Sequence, residues 1–183
     1  MKNKSKHAAM EMSVGTIVTV VLLMAVLVMG IFFITKIRST GSNAIDQIND
    51  AIQNQINQLF TSSSGPLVVF PASQSITIKR GDTPKGFAFE LKNPDNAQAT
   101  FSYTVAESSL HDCGSLTAEQ ANGFVIGASG TFTAGPGAQS SAQLVKFEVP
   151  STAPACTVVY NLVVSGTSGS TYTDSKNVFV TFS

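Results

Sequence analysis

The hydrophobic pattern of the chain changes twice, and the two changes divide it into three parts. An apolar run begins at Met12 and continues without a charged residue as far as Lys36. A stretch with helical periodicity follows and ends at Phe60, and beyond Pro66 apolar and polar residues alternate. These patterns predict an apolar helix, an amphipathic helix and a β domain, in that order.

The apolar run is long enough to cross a bilayer, since about 20 residues span about 30 Å of hydrocarbon. A secretory signal peptide is the competing interpretation, because Lys2, Lys4 and Lys6 supply a basic region ahead of the run. However, the run exceeds the apolar core of a signal peptide, which has about 7–15 residues, and the basic segment 36–38 stands where a small-residue cleavage site would lie. We therefore predict an uncleaved transmembrane helix over residues 12–35, with membrane lipid as its partner.

Residues 36–60 are predicted to form an amphipathic helix, because aliphatic residues recur at spacings of three and four while Asn, Gln and Asp fill the other positions. The aliphatic stripe consists of Ile45, Ile48, Ile52, Ile56 and Leu59. One continuous helix from Ser13 to Phe60 fits the pattern and would be about 70 Å long at 1.5 Å per residue. The stripe needs a partner, which is either the chain's own β domain or the same stripe on neighbouring copies.

Residues 61–66 are rich in Ser and end in Gly-Pro, which predicts a linker, and residues 67–183 are predicted to form the β domain. Turn-forming residues bound eight candidate strands. These strands are Leu67–Phe70, Ser75–Lys79, Gly86–Leu91, Gln98–Val105, Phe124–Ile126, Gln143–Val149, Thr157–Val164 and Thr171–Phe182. Short strands at this spacing are typical of a two-sheet sandwich. The predicted fold class is α+β: a long N-terminal helix, transmembrane and then amphipathic, followed by an all-β immunoglobulin-like sandwich.

Two cysteines, Cys113 and Cys156, both lie in the β domain. An isolated pair of this kind predicts one disulfide formed in an oxidising compartment. Two reduced, buried thiols are the alternative interpretation. With the disulfide, the basic tail 1–11 is placed in the cytoplasm and the β domain outside the cell, which makes the chain a single-pass protein of the plasma membrane.

The composition narrows the class of partner. Charged residues make up 12% of the chain, and Lys+Arg and Asp+Glu both number 11, so no basic field exists to attract nucleic acid. Small polar residues are abundant in the second half of the sequence. This composition indicates a surface protein that associates with itself or with other surface proteins.

Catalytic and metal-binding patterns are not evident in the sequence. His111-Asp112-Cys113 places a base beside a thiol, but adjacent loop residues seldom converge on one substrate, and a disulfide would remove the nucleophile. His7 falls in the cytoplasmic tail, and the tripeptide Arg80-Gly81-Asp82 is interpreted as a plain hairpin turn. We therefore predict a protein that is not an enzyme and has no cofactor and no metal site.

The N-terminal layout resembles archaeal type IV pilin-like proteins: a short Lys-rich tail, the sequence Ala8-Ala9-Met10-Glu11-Met12-Ser13, an apolar helix that leads into an amphipathic one, and a β domain. The resemblance implies that Glu11 is the acidic residue that pairs with the new N-terminal amine of a neighbouring subunit. For Glu11 to be fifth in a processed chain, cleavage must fall between Lys6 and His7, where the family has Gly or Ala before the cut. An ordinary interfacial carboxylate at a helix N-terminus is the alternative role for Glu11.

The functional prediction is a membrane-anchored structural protein of the cell surface, a pilin-like subunit or a minor component of a filament. The alternative is a monomeric anchored ectodomain that acts as an adhesion or binding module. In that case the contacts would be made by the predicted loops, above all residues 107–122 and 128–142.

Overall fold

The computed structural model describes residues 15–29, 45, 47–63 and 65–183, and the chain divides into two units, residues 1–41 and 42–183. In the first unit the described residues form one helix, α1, over residues 15–29. Residues 12–14 and 30–35 of the predicted span lie outside the described residues. None of the helices in the described ranges combines the length and the apolar character needed to cross a membrane, so the structure does not support the predicted transmembrane helix.

In the second unit, helix α2 spans Asp50–Ser62, and the predicted continuous helix is wrong at residues 45 and 47–49, which are described and are not helical. Asn49 is extended, with φ −123° and ψ 173°, and its side chain accepts a hydrogen bond from the backbone N–H of Ile52 at 3.0 Å. This cap satisfies an N–H group that would otherwise lack a partner at the first turn. Further upstream, Ile45 forms an isolated β bridge with Gly86, so its backbone pairs with a strand. At its other end α2 includes Thr61 and Ser62, which were assigned to the linker.

Nine strands and one further helix follow α2. The strands are β1 Leu67–Phe70, β2 Ser75–Ile78, β3 Lys85–Leu91, β4 Ala99–His111, β5 Val125–Ile126, β6 Ser129–Ala134, β7 Gln143–Phe147, β8 Thr157–Ser168 and β9 Thr173–Phe182, and helix α3 is Ala118–Gly123. They form two sheets, a first sheet in the order β1-β3-β7-β5 and a second sheet in the order β2-β9-β8-β4-β6. The predicted two-sheet β sandwich is confirmed.

The strand pairs are antiparallel except for β2 and β9, which run parallel with Ser75 opposite Phe179. Strand β1 pairs with β3 at the edge of the first sheet, whereas β2 lies at the edge of the second. The chain therefore passes from one sheet to the other between Phe70 and Ser75, across a cis Phe70–Pro71 peptide bond. These two short strands attach the start of the sandwich to both of its layers.

Alternation along the strands places one side of each strand in the core. Phe87, Phe89 and Leu91 are fully buried, as are Val178 and Val180. Aromatic side chains pack among aliphatic ones in the space between the sheets. Ring contacts join Phe89 to Tyr103, Phe101 to Phe132 and Phe147 to Tyr160, with centroids 4.9, 5.6 and 4.8 Å apart. Edge-to-face and offset ring pairs of this kind add about 0.5–1.5 kcal/mol each beyond the area they bury.

Strand β6 and helix α3 were not predicted. In β6 only Phe132 and Ala134 are buried, and Gly130 takes the place of an apolar residue because the ring of Tyr103 would lie 2.7 Å from an added Cβ. Helix α3 is short, but Thr117 and Gln120 form a capping box, with reciprocal bonds of 3.2 and 3.0 Å. That Thr-x-x-Gln spacing was a signal available in the sequence.

A buried asparagine, Asn93, fixes the connection that follows β3. Its Nδ2 lies 2.8 Å from the carbonyl oxygen of Ala97 and 3.0 Å from those of Ala134 and Gly135. Its Oδ1 accepts a bond of 2.9 Å from the backbone N–H of Asp95. The side chain therefore ties the end of β3 to the end of β6 and holds its own turn closed.

We predict that Asn93→Ala lowers the free energy of unfolding by about 3 kcal/mol, because it leaves buried carbonyl groups without a donor. Chemical denaturation followed by circular dichroism measures the change. The matched control is Asn96→Ala in the same turn, where the side chain is exposed and a change within about 0.5 kcal/mol is expected. Equal stability of the two variants would contradict the role given to Asn93.

Candidate functional site

Helix α1 exposes apolar side chains around its whole circumference. Its sequence contains no charged residue, and the Oγ1 of Thr19 donates to the backbone oxygen of Gly15 at 2.8 Å, which satisfies that hydroxyl within the helix. Its large apolar side chains are 47–67% exposed, namely Ile17, Val18, Val20, Val21, Leu22, Leu23, Met24, Val26, Leu27, Val28 and Met29. A helix that is apolar on every side is stable where another apolar phase covers it. Glu11 and His7 lie outside the described residues.

The aliphatic stripe of α2 lies against the outer face of the first sheet. Ile56 is fully buried, and it packs in one cluster with Val68 of β1 and Ala88 of β3. Ile45 is 9% exposed, and Ile48, Ile52 and Leu59 are half-buried against the same cluster. Of the two partners predicted for the stripe, the structure shows the chain's own β domain.

This contact bears on the assembly role of Ile45, Ile48, Ile52, Ile56 and Leu59, which stays a prediction. The surface that neighbouring copies would need is already occupied within the chain, most completely at Ile56. The opposite side of α2, which includes Asn54, Asn57 and Gln58, is exposed and polar.

A carboxylate is buried beneath α2. Glu90 of β3 is fully inaccessible to solvent and lies opposite Val68 of β1 in the register of the first sheet. The Nε2 of Gln53 in α2 donates a short hydrogen bond to its Oε1, while its Oε2 has no partner among the described residues. Burial raises the pKa of Glu90, and the bond from Gln53 offsets part of that effect. The alternation of Phe87, Phe89 and Leu91 places Glu90 on the opposite side of β3, and the sequence alone does not show that α2 covers that side.

The disulfide between Cys113 and Cys156 joins the end of β4 to the start of β8. Their Cα atoms are 4.9 Å apart and 43 positions apart in sequence, and both residues are buried. This confirms the predicted pairing. Next to it, the Tyr160 hydroxyl donates to the backbone oxygen of Ala121 at 2.7 Å, which holds α3 on the sandwich, and burial raises the pKa of that hydroxyl.

A cavity of about 230 Å³ lies beside this corner of the fold. Its lining contains no ionisable side chain; the residues are Ser115, Leu116, Gln120, Phe124, Pro150, Thr152, Ala153 and Pro154. A pocket of this composition offers hydrogen bonds and apolar contact, and its lining places no ionisable base beside the hydroxyls of Ser115 and Thr152.

The candidate catalytic residues are not brought together with a third group. Cys113 is engaged in the disulfide, and His111 is exposed with its Nε2 3.3 Å from the Oγ of Ser109. Within the described ranges, no group of three or more His, Cys, Asp or Glu side chains is placed to hold a metal ion.

The Arg80-Gly81-Asp82 tripeptide forms a turn, but it links β2 and β3, which belong to different sheets, so it is not a hairpin. The Nη1 of Arg80 donates to the backbone oxygen of Ala153 at 2.8 Å, and Asp82 pairs with Lys85 at 3.3 Å. The backbone N–H of Thr83 and the Lys85 ammonium lower the pKa of Asp82. Both charged ends of the tripeptide are therefore bound to neighbouring parts of the domain.

The loops proposed as binding surfaces are more regular than predicted. Residues 107–111 continue β4, and Ala118–Gly123 forms α3. Residues 129–134 form β6 at the edge of the second sheet. Irregular backbone in these two segments is thus confined to shorter stretches than the ranges 107–122 and 128–142.

No family model and no curated protein sequence matches the chain. Solved structures that are similar in fold include the periplasmic chaperone SfaE, with 6% identity over 63% of this chain and 55% of that chain at a TM-score of 0.37. The E. coli chaperone DraB has 10% identity over 64% of this chain and 54% of its own, with a TM-score of 0.37. The CsuC–CsuE chaperone–tip adhesion subunit complex from Csu pili of Acinetobacter baumannii has 13% identity, 63% and 55% coverage, and a TM-score of 0.35.

The chain spans about half the length of each of these three proteins. They share with it an arrangement of β-strands, and likeness at this distance carries no argument about activity or partners. The three structures lend no support to the resemblance to archaeal pilins. Any function therefore has to be argued from the residues of this chain.

We predict that Ile56→Ala destabilises the domain by about 2–4 kcal/mol, because it removes a fully buried side chain from the contact between α2 and the first sheet. Thermal and chemical unfolding measure the loss. Asn57→Ala, on the exposed side of the same helix, is the matched control and is expected to change stability by less than about 0.5 kcal/mol. A similar, small effect of both substitutions would show that α2 does not depend on this contact.

We also predict that Glu90→Gln makes the domain more stable at neutral pH, by about 1 kcal/mol or more, because a neutral amide costs less to bury than a carboxylate. The pKa of Glu90 in the folded protein is raised above its ordinary value of 4.5, so its contribution to stability is complete below about pH 4.5 and is lost as the pH rises through the folded pKa. The advantage of the variant should therefore grow between pH 4 and pH 7.

Chemical denaturation at a series of pH values tests this dependence. Glu148→Gln, at an exposed carboxyl, is the control, and its free energy of unfolding should stay within about 0.5 kcal/mol of the wild type. If Glu90→Gln and the wild type have parallel profiles across this range, Glu90 is not held in a destabilised charged state.

Proposed function

We propose that this chain is a structural protein of the cell surface, a pilin-like subunit or minor component of a filament. Its N-terminal apolar segment would be held in the membrane or in a filament core, and its β-sandwich would be displayed outside the cell. The observation that carries this proposal is the apolar surface of α1, whose large side chains are 47–67% exposed.

The energetic argument concerns what covers α1. A large aliphatic side chain left in water forgoes about 1.5–3 kcal/mol relative to full burial, and α1 presents many such side chains on every side. Lipid, or the equivalent helices of other copies, would supply the missing burial. The uncharged sequence on either side, which runs from Met12 to Lys36, extends the apolar segment to the length of a membrane crossing.

The sandwich supports the same proposal in two ways. Its disulfide is of the kind that forms and persists outside the cytosol. Its α2 stripe packs against the first sheet of the same domain. The apolar surface of α1 is exposed and is available for anchoring or assembly. Because the compact unit 42–183 has its own core, the sandwich would keep its structure whether α1 lies in lipid or in a filament.

We expect the full chain to sediment with membranes or sheared filaments after a high-salt wash, and a form consisting of residues 45–183 to remain soluble. The substitution Leu23→Lys, which places a charge in the middle of α1, should shift the full chain toward the soluble fraction. Asn57→Lys, on the exposed side of α2, adds the same charge and should not. Full-length wild-type chain in the salt-washed soluble fraction would refute the proposal.

Two further measurements on the same preparation distinguish a filament subunit from a monomeric anchored ectodomain. A filament subunit would be released by shearing and would be visible as fibres in electron microscopy. The N-terminal mass of the mature chain shows whether cleavage between Lys6 and His7 precedes that release. A chain that stays in the membrane as a monomer would favour the anchored ectodomain.

A further inference from the structure

The outer face of the second sheet has no formal charge. Register and burial direct alternate residues of its strands away from the core. These residues are Ser75 and Thr77 of β2, Thr173, Ser175, Asn177, Phe179 and Thr181 of β9, Thr157, Val159, Asn161, Val163 and Ser165 of β8, Thr100, Ser102, Thr104 and Ala106 of β4, and Ser129, Thr131 and Thr133 of β6. None of them is Asp, Glu, Lys or Arg, and all lie in the described part of the chain. Beyond a bulge in β4, Ser109 and His111 lie opposite Val159 and Thr157 and complete the same face.

The charged residues of the same strands are turned to the other side. On β9, Asp174 and Lys176 alternate with the outward residues and pair with each other at 3.5 Å. On β4, Glu107 lies opposite the buried Tyr160. Two copies that met on the outer face would therefore remove no Asp, Glu, Lys or Arg side chain from water, and burying such charges is the main cost of burying a protein surface.

The polar groups on this face are self-complementary. A Ser or Thr hydroxyl both donates and accepts a hydrogen bond, so a surface of hydroxyls can satisfy an identical surface. At the centre of the face, the Nδ2 of Asn161 donates to the Oδ1 of Asn177 at 2.8 Å, and each amide retains further donors or acceptors. A face made only of donors, or only of acceptors, would need a different molecule.

Part of this face is apolar. Phe179 of β9 is 42% exposed and lies directly opposite Val159 of β8, which is already buried at 5% exposure. Val163 of β8 is a further apolar residue on the same side. Covering the ring of Phe179 would remove from water the largest exposed side chain of the second sheet, and aromatic residues are enriched at the centres of interfaces.

The size of the face limits how it can act. Five strands about 4.8 Å apart and about 20 Å long give roughly 400–500 Å² per copy. A pair would bury about 900 Å² in total, which is below the roughly 1,200–2,000 Å² of a stable independent interface. Such a contact holds only where a tether brings the copies to a high effective concentration, of the order of millimolar.

We propose that the outer face of the second sheet pairs, about a two-fold axis, with the same face of a second copy of this chain when the copies are anchored side by side. The pairing rests on the proposed function, because the anchor through α1 supplies the local concentration. It adds a head-to-head contact between sandwiches to the contact made by the apolar segments. The second sheet, whose outer face α2 does not cover, would thus contact another copy, whereas the first sheet would not.

Single cysteines at Thr104, Asn161 and Asn177 test the pairing in the full-length chain in native membranes or filaments. These positions lie on the three central strands of the face, and in a two-fold pair the one nearest the axis approaches its own copy. Mild oxidation should give a disulfide-linked dimer for at least one of them. Asn57→Cys, on the exposed side of α2, is the matched control and should give at least tenfold less, which also shows that the native Cys113–Cys156 bond is not exchanging.

A charge substitution gives a second measurement. Asn161→Lys places two like charges near the axis of the pair. In the background of Thr104→Cys or Asn177→Cys, whichever gives more dimer, it should lower the yield of dimer at least tenfold, while the melting temperature of the domain stays within a few degrees. Asn57→Lys in the same background should leave the yield unchanged.

The two proposals can fail separately. If the chain is anchored but none of the three cysteines yields more dimer than Asn57→Cys, the pairing is overturned. The face is then covered by solvent or by another envelope component. If the chain proves soluble, the proposed function has failed, and the same variants are oxidised at about 1 mM chain, the concentration that a tether would supply. Dimer there supports the pairing without the anchor, and its absence overturns it.

Discussion

The docking of α2 on the outer face of the first sheet determines how the rest of this molecule can be used. The sandwich has two outer faces, and the contact of Ile56 with Val68 and Ala88 closes one of them. Burial of several aliphatic side chains, at about 1.5–3 kcal/mol each, is large compared with the 5–15 kcal/mol by which small domains are stable. The helix is therefore a structural layer of the domain, and the second sheet is the layer that remains open.

That docking also explains why a carboxylate with an unpartnered oxygen is buried in this domain. Glu90 lies on the strand face that α2 covers, so the helix removes the carboxylate from water and offers a single amide in return. The energy lost there is small beside the apolar contacts around it, which is why the arrangement can persist. The interface between α2 and the first sheet both buries Glu90 and supplies the aliphatic contacts that offset the free-energy cost of burying it. That cost rises with pH, whereas the free energy of the aliphatic contacts does not depend on pH.

The strands whose Phe and Val residues alternate strictly were predictable, because a two-residue period with large side chains has one interpretation. Strand β6 was not, since Gly130 had to be small beneath the Tyr103 ring and left only two apolar residues to recognise. The stripe of α2 was visible, but periodicity does not identify the surface that covers it. Asn49 looked like any polar residue of an amphipathic helix until its extended backbone showed it to be the cap. The outer face of the second sheet escaped notice because its members come from five separate segments.

The passage of the chain between the two sheets has a mechanical consequence. Strand β2, close to the N-terminal side of the domain, runs parallel to β9, the last strand. A force that pulls the start of β2 away from the end of β9 acts along both strands, because they are parallel. It therefore loads all the hydrogen bonds between them at once and does not open them one at a time. The sandwich would thus resist a force applied along the chain more strongly than one that peels its strands apart. Strand β1, which precedes β2 and pairs with β3 in the first sheet, would bear part of that force before β2 could slide.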